Sequence, residues 1–172
     1  MITVHEISGL KQSVAQHKKQ YSRLMNQLKS MTSYDADELI QTQHDQIFSE
    51  ISCLDCANCC KTTPALLIHE DINRISKYLR ITVKDFLHNY AVRDEDGDIV
   101  FKQTPCVFLG EDSRCSIYNV RPKACREYPH THQKNQQKIL NITEKNLDIC
   151  PAVKRIFDAL LSANFRMKKI TF

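Results

Sequence analysis

The sequence predicts a mostly α chain with one small β-hairpin, in which a helical hairpin precedes a small metal-centred domain. Three observations carry this. Apolar residues from Ile7 to Met31 recur at alternating steps of three and four, the spacing of one helix face. Two short apolar runs lie close to Asp96-Gly97, a tight-turn signal. Half of the eight cysteines fall within eight consecutive positions, Cys53, Cys56, Cys59 and Cys60, and the others, Cys106, Cys115, Cys125 and Cys150, follow singly. Residues 1–50 are expected to form the hairpin, and residues 51–172 a cysteine-cluster domain that ends in a C-terminal helix.

The N-terminal seam runs Ile7, Leu10, Val14, His17, Tyr21, Leu24, Leu28, Met31, a heptad pattern interrupted only by His17. A second helix is expected after Ser33-Tyr34-Asp35, with Asp35 or Asp37 near its start. Its apolar side is Leu39, Ile40, His44, Ile47, Phe48 and Ile51. The seams are read as facing each other and the metal domain; a coiled-coil arm for self-association is the alternative. His17 and His44 read as core-edge residues rather than ligands.

Close Cys-x-x-Cys spacing supports two chemistries, disulfides or thiolate metal ligands. Met1 to Leu10 shows no basic start, apolar h-region or small-residue cleavage site, so a cytoplasmic location is expected. Thiols stay reduced there, which favours metal. Cys59 and Cys60 have Cα atoms about 3.8 Å apart, and their side chains are expected to diverge. They suit two neighbouring metals, a cluster, or one ligand and one supporting thiol better than joint chelation of a single ion. Eight thiols can fill two four-thiolate zinc sites or hold iron–sulfur clusters.

Further along, Leu66-Leu67-Ile68 reads as a strand. A helix is expected from Glu70 with Ile72, Ile75 and Leu79 inward, and another from Thr82 burying Phe86, Leu87 and Tyr90. Thr82 and Asp85 hold capping-box positions. Ile99-Val100-Phe101 and Cys106-Val107-Phe108-Leu109 read as strands of the hairpin. Pro122 opens a short helix carrying Cys125. Gln133 to Lys138 reads as a loop and Ile139 to Ile142 as a strand. Pro151 starts a last helix burying Val153, Ile156, Phe157, Leu160 and Leu161. Cys150 then stands at a helix N-terminus, which favours a thiolate. Arg166, Lys168 and Lys169 form a solvated basic end.

Cys53-x-x-Cys56-x-x-Cys59-Cys60 resembles the signature of the YkgJ-type CxxCxxCC cysteine-cluster family, a zinc- or iron-chelating domain. Cys106-Val107-Phe108-Leu109, Cys115-Ser116-Ile117-Tyr118 and Arg121-Pro122-Lys123-Ala124-Cys125-Arg126-Glu127-Tyr128-Pro129 are similar to its pattern. Asp71-Ile72-Asn73-Arg74-Ile75, Phe86-Leu87 and Cys150 also fit, so the resemblance covers about residues 51 to 151. It implies a metal site on Cys53, Cys56, Cys59, Cys60, Cys106, Cys115, Cys125 and Cys150, with zinc or iron, the latter in iron–sulfur form in some members. Flagellin lysine methylases carry a related cluster. The resemblance names a site and no reaction.

Lys61, Arg114, Arg121, Lys123 and Arg126 would offset the negative charge of thiolate sites. Arg121 and Arg126, flanking a cysteine-bearing turn, suit a supporting role, whereas Lys61 and Lys123 read as surface charges. His130 and His132 are reserve ligands. The net charge of +4, from 24 basic and 20 acidic residues, is too small to indicate nucleic acid. Three glycines leave no Gly-rich phosphate loop, and no apolar run is long enough to cross a bilayer. Neither a Ser-His-Asp order nor paired carboxylates argue for a self-contained enzyme. Three functions remain: a structural or metal-handling protein, an iron–sulfur redox protein or enzyme subunit, and a partner-recruiting module with a metal staple. Metal removal is expected to unfold residues 51 to 165 while the helical hairpin loosens.

Overall fold

The computed structural model describes residues 2–163, the Asp55 side chain excepted; the basic end from Arg166 lies outside them. In chain order the elements are α1 (Val4–Ser8), α2 (Leu10–Ser30), α3 (Ser33–Glu50), α4 (Cys53–Cys56), α5 (Asn58–Thr62), α6 (His69–Leu79), α7 (Val83–Tyr90), β1 (Ala91–Arg93), β2 (Ile99–Phe101), a 3-10 turn at Tyr118–Val120, α8 (Lys123–Glu127), α9 (Gln136–Leu147) and α10 (Pro151–Ser162). The fold is mostly α with a two-stranded antiparallel hairpin. Among the described residues no helix is long and apolar enough to cross a membrane. The described residues form two compact units, one from residues 2–51 and 129–163, the other Ser52–Tyr128.

The first unit is helical. Its core joins Leu10, Val14, Tyr21, Leu24, Met25 and Leu28 of α2 to Ala36 and Ile40 of α3, Leu140 and Leu147 of α9, and Val153, Ile156, Phe157 and Leu160 of α10. The expected α2 seam is therefore buried, but not as expected. α9 and α10 each pack against both α2 and α3, and the two long helices have little direct contact. The seams of a two-helix hairpin could cover only each other. Here the four apolar residues of α10 offer a larger surface, and burying it takes the last helix out of the expected 51–172 domain.

Helix ends explain another correction. The Asp37 carboxylate accepts from Asn135 N and Gln136 N at 2.7 Å each. It thereby satisfies donors that the start of a helix leaves without partners. Ile139 to Ile142 is accordingly helical, and Leu140, Thr143 and Leu147 are inward at helical spacing. Gln137 Nε2 in turn donates to Leu28 O and Met31 O, at 2.9 and 2.8 Å, at the end of α2. Arg155 Nε reaches Glu6 Oε1 at 2.9 Å, tying α1 to α10. Tyr21 Oη donates to Asp158 Oδ1 at 2.5 Å, and burial together with this carboxylate pushes the phenol well above its ordinary range.

The second unit is built round Leu67, Ile72, Ile75, Phe86, Phe101, Phe108 and Ile117. Phe101 meets both Phe86 and Phe108 edge-on, at 6.5 and 5.5 Å between centroids, a favoured aromatic geometry. β1 and β2 pair with Val92 opposite Val100. The hairpin thus lies upstream of the expected one, because the turn chemistry sits between Arg93 and Ile99. Gly97 has φ +85°, a conformation that costs glycine nothing. Asp94 Oδ1 accepts from Asp96 N and Asp98 N. On the other side of β2, Pro105 has no N–H to give a ladder, and Cys106–Val107–Phe108 is irregular, with only a Leu109–Cys115 bridge. Leu66 likewise makes one bridge, to Val100, rather than a strand.

Half of the expected α7 capping box forms: Thr82 Oγ1 accepts from Asp85 N at 3.1 Å, while Asp85 Oδ2 accepts from the Thr82 hydroxyl at 2.6 Å. Thr82→Ala should lower the stability of this unit by about 1 kcal/mol, read as an earlier urea midpoint with unchanged slope.

Candidate metal centre

Seven of the eight cysteines lie in the second unit, Ser52–Tyr128. Cys53 and Cys56 are the ends of the single turn α4, three residues apart and hence on one face. Ser52 Oγ accepts from Leu54 N at 3.2 Å and starts that turn. Ala57, at φ +50°, ends it and starts α5. This left-handed residue redirects the chain so that Cys59 and Cys60 come on a separate turn. Cys53 is exposed; Cys56, Cys59 and Cys60 are half-buried.

The Cys59 thiol hydrogen-bonds to the Cys60 sulfur, an interaction that outweighs burial. With the Cys60 backbone N–H and the Lys61 charge also acting, Cys60 is brought down to about 7.

The later cysteines come back to the motif. Cys106 N donates to Cys60 O at 2.8 Å, which joins the second half of the unit to the CxxCxxCC turn. The bridge Leu109–Cys115 and Ser116 N→Phe108 O at 2.8 Å fold Cys115 back alongside. Cys125 occupies the third position of α8. Burial pushes the Cys106, Cys115 and Cys125 thiols up, and charge on neighbouring thiols pushes them further: Cys60 and Cys115 act on Cys106, Cys60 acts on Cys115, and all three act on Cys125, which reaches about 12. The Cys106 N–Cys60 O bond and the Leu109–Cys115 bridge bring the segments of Cys60, Cys106 and Cys115 together, and the charge effects on Cys125 associate it with the same three. Although Cys53 is exposed as a residue, protein atoms around its sulfur displace water and raise the thiol, and Cys56 and Cys60 add to this.

The donor set fits a thiophilic metal: soft sulfur, partly desolvated and drawn from separate segments. Among the described residues no three Cys, His, Asp or Glu side chains are already arranged to hold an ion. The sulfurs share a neighbourhood and not yet a coordination sphere. Cys150 stands in the first unit, as N-cap of α10, so the second unit by itself gathers seven cysteines and not eight.

Whereas Lys61 acts on Cys60, Arg121 acts on three other thiols. Its charge opposes the upward shifts of Cys53, Cys115 and Cys125. Its guanidinium lies 3.8 Å over the Tyr118 ring and donates to Tyr118 O at 2.7 Å. Arg126 Nη1 donates to Arg121 O at 2.7 Å. Lys123 pairs with Glu127 at 3.7 Å along its helix, and Arg114 lies 4.0 Å from Asp112 at the exposed surface.

His17, His44, His130 and His132 lie in the other unit. His17 Nδ1 bonds Ser13 O at 2.9 Å on its own helix. His130 adopts φ +71° and approaches Gln133 Nε2 at 3.2 Å. His44 bonds the buried Thr131 Oγ1 at 2.7 Å and stacks on Phe48, with His132 at 5.5 Å between centroids. Burial, then His132, hold His44 below its ordinary range, while Asp45 acts weakly the other way. The folded chain thus binds fewer protons there than the unfolded one, so this contribution to stability is present above about pH 6.5 and is lost as pH falls below it. The first unit should melt earlier at pH 5.5 than at pH 7.5, and His44→Gln should flatten that dependence.

In the sequence Asp71 and Arg74 stand only within the family-like stretch Asp71-Ile72-Asn73-Arg74-Ile75, with no role of their own. Their signal was an Asp on the apolar side of an amphipathic helix, beside Ile72 and Ile75, with Arg three residues on. The Asp71 side chain is buried and paired with Arg74 at 2.5 Å.

A family model described as "Putative zinc- or iron-chelating domain" matches residues 52–151. An uncharacterized protein of Methanocaldococcus jannaschii is 33% identical over 90 residues, covering 51% of this chain and 48% of that protein. The chain therefore spans about half the length of that relative. No solved structure matches. Over half its length, including the turns that carry all eight cysteines, this chain belongs to the CxxCxxCC family of cysteine-cluster domains.

Proposed function

We propose that the unit Ser52–Tyr128 binds zinc or iron through thiolates, in a structural or metal-handling role in the reducing cytoplasm. Cys60, Cys106, Cys115 and Cys125 would form one four-thiolate centre. Cys53, Cys56 and Cys59 are available to a second, with Cys150 as the eighth candidate on the strength of the family match, which runs to residue 151. The observation that supports the reading is the bond from Cys106 N to Cys60 O at 2.8 Å, which joins two cysteine-bearing segments distant in sequence within the span of the family match. Four thiolates around a divalent ion carry a net charge of about −2, and Arg121 is placed to offset part of it. When bound, the metal supplies ligand bonds that close the loops between these segments, so its binding free energy becomes folding free energy. The chain's own residues supply the rest: Ala57 turns the motif, the Cys59 thiol and Lys61 favour ionisation of Cys60, and Arg121 balances charge.

The test is elemental analysis of full-length protein purified without oxygen. About one to two zinc or iron ions per chain, falling when Cys60 or Cys106 becomes Ser, is the expected result. Brown protein with iron and acid-labile sulfide would assign an iron–sulfur centre. Metal-free protein, or content indifferent to these substitutions, would contradict the proposal.

A further inference from the structure

The Asp71 carboxylate is buried, with 0% exposure, and its position among the helices is unusual. It is the third residue of α6 and accepts from Ile68 N, the N-cap of its own helix, at 3.3 Å. Its other oxygen accepts from Lys123 N, the first residue of α8, at 3.0 Å. One carboxylate thus caps two helices, and the second carries Cys125. Arg74 completes the arrangement: Nη2 donates to Asp71 Oδ1 at 2.5 Å and to Arg121 O at 2.9 Å, and Nε to Val120 O at 3.4 Å. The carboxylate and the guanidinium fork therefore grip the backbone on both sides of Pro122. That stretch carries the Arg121 guanidinium and the Cys125 thiol toward the cluster.

We propose that Asp71, locked by Arg74, is a positioning residue for the metal centre, fixing the Arg121–Cys125 turn so that Cys125 faces Cys60, Cys106 and Cys115. The inference rests on the thiolate-metal reading above. Burying a carboxylate without partners is costly. Here backbone donors and a guanidinium from different segments stabilise it, and those same bonds set the register of α8 against α6. A Leu at position 71 could pack the core but could not hold Lys123 N. Groups that orient a metal ligand without touching the metal typically matter by about 10- to 100-fold in affinity.

The experiment uses full-length protein and Co(II) alone as the probe, comparing wild type with Asp71→Asn, Asp71→Glu and Arg74→Lys. Asp71→Asn should weaken Co(II) binding by about 10- to 100-fold and alter the sulfur-to-cobalt absorption bands while far-ultraviolet circular dichroism stays close to wild type. Asp71→Glu should restore much of the loss. Arg74→Lys should shift both readouts in the same direction, which keeps the test open if Asp71→Asn does not fold. Variants that are less stable yet bind Co(II) with wild-type affinity and spectrum would overturn the inference and leave Asp71 a purely structural residue. A wild-type chain that binds no metal would instead overturn the function proposed above. The clamp is then judged on that folded, metal-free protein by alkylation of Cys125 relative to Cys53. A clearly raised relative rate in Asp71→Asn supports positioning, and an unchanged one contradicts it.

Discussion

Stripping metal from the reduced, full-length chain is expected to unfold Ser52–Tyr128 cooperatively while the helices of the other unit remain folded. The two units have unequal cores. Among the described residues, fourteen buried ones join α2, α3, α9 and α10, whereas seven form the cluster of the cysteine unit. Much of that unit between β2 and α8 is irregular, and closing it into place costs chain entropy that so small a core offsets poorly. Structural zinc supplies on the order of 10 kcal/mol, comparable to the whole net stability of a domain. Thermal melting followed by circular dichroism should show one transition lost after a strong chelator removes the metal and the other retained. Cys60→Ser, one thiolate short, should resemble the stripped protein. Unchanged melting after verified metal loss would mean that the unit folds on its own and exchanges its metal.

Phe86→Ala should be the most damaging single core substitution in the same unit, at about 3–5 kcal/mol. Phe86 is fully buried and touches Tyr90 and Phe101, whose rings continue to Phe108, two residues after Cys106. Truncation leaves a cavity at the start of this chain of rings, and the irregular loop beyond offers no rigid element to close it. Expression without metal supplementation should give largely unfolded protein, and added zinc should recover part of the fold by mass action. A loss below about 1 kcal/mol by urea denaturation would show that the aromatic chain does not hold the loop of Cys106.

Features set by local chemistry were legible in the sequence. The α2 seam, the Thr82 cap, the start of α10 at Pro151 and the glycine turn at Gly97 each follow from a few neighbouring residues. What failed depends on partners distant in sequence. Val153, Ile156, Phe157 and Leu160 announce a buried helix face but do not say which surface it meets, so the expected domain boundary placed α10 with the cysteines. Asp37 caps a helix that begins 99 residues later, and without that contact Ile139 to Ile142 read as a strand. The candidate ligands were legible as a set, because thiol chemistry is written in residue type and spacing. Which of them share a neighbourhood was not, since Cys60, Cys106, Cys115 and Cys125 meet only through tertiary contacts. Asp71 was overlooked for the same reason: its value lies in the amide of Lys123, 52 residues away.

The central claim, that Ser52–Tyr128 encloses a metal through its thiolates, is tested most directly by X-ray absorption at the metal edge on full-length protein purified without oxygen. The account predicts a first shell dominated by sulfur, at about 2.3 Å for zinc, with sulfur ligation diminished in Cys125→Ser. A first shell of nitrogen and oxygen, or a sulfur shell unaffected by substituting Cys60, Cys106, Cys115 or Cys125, would contradict it.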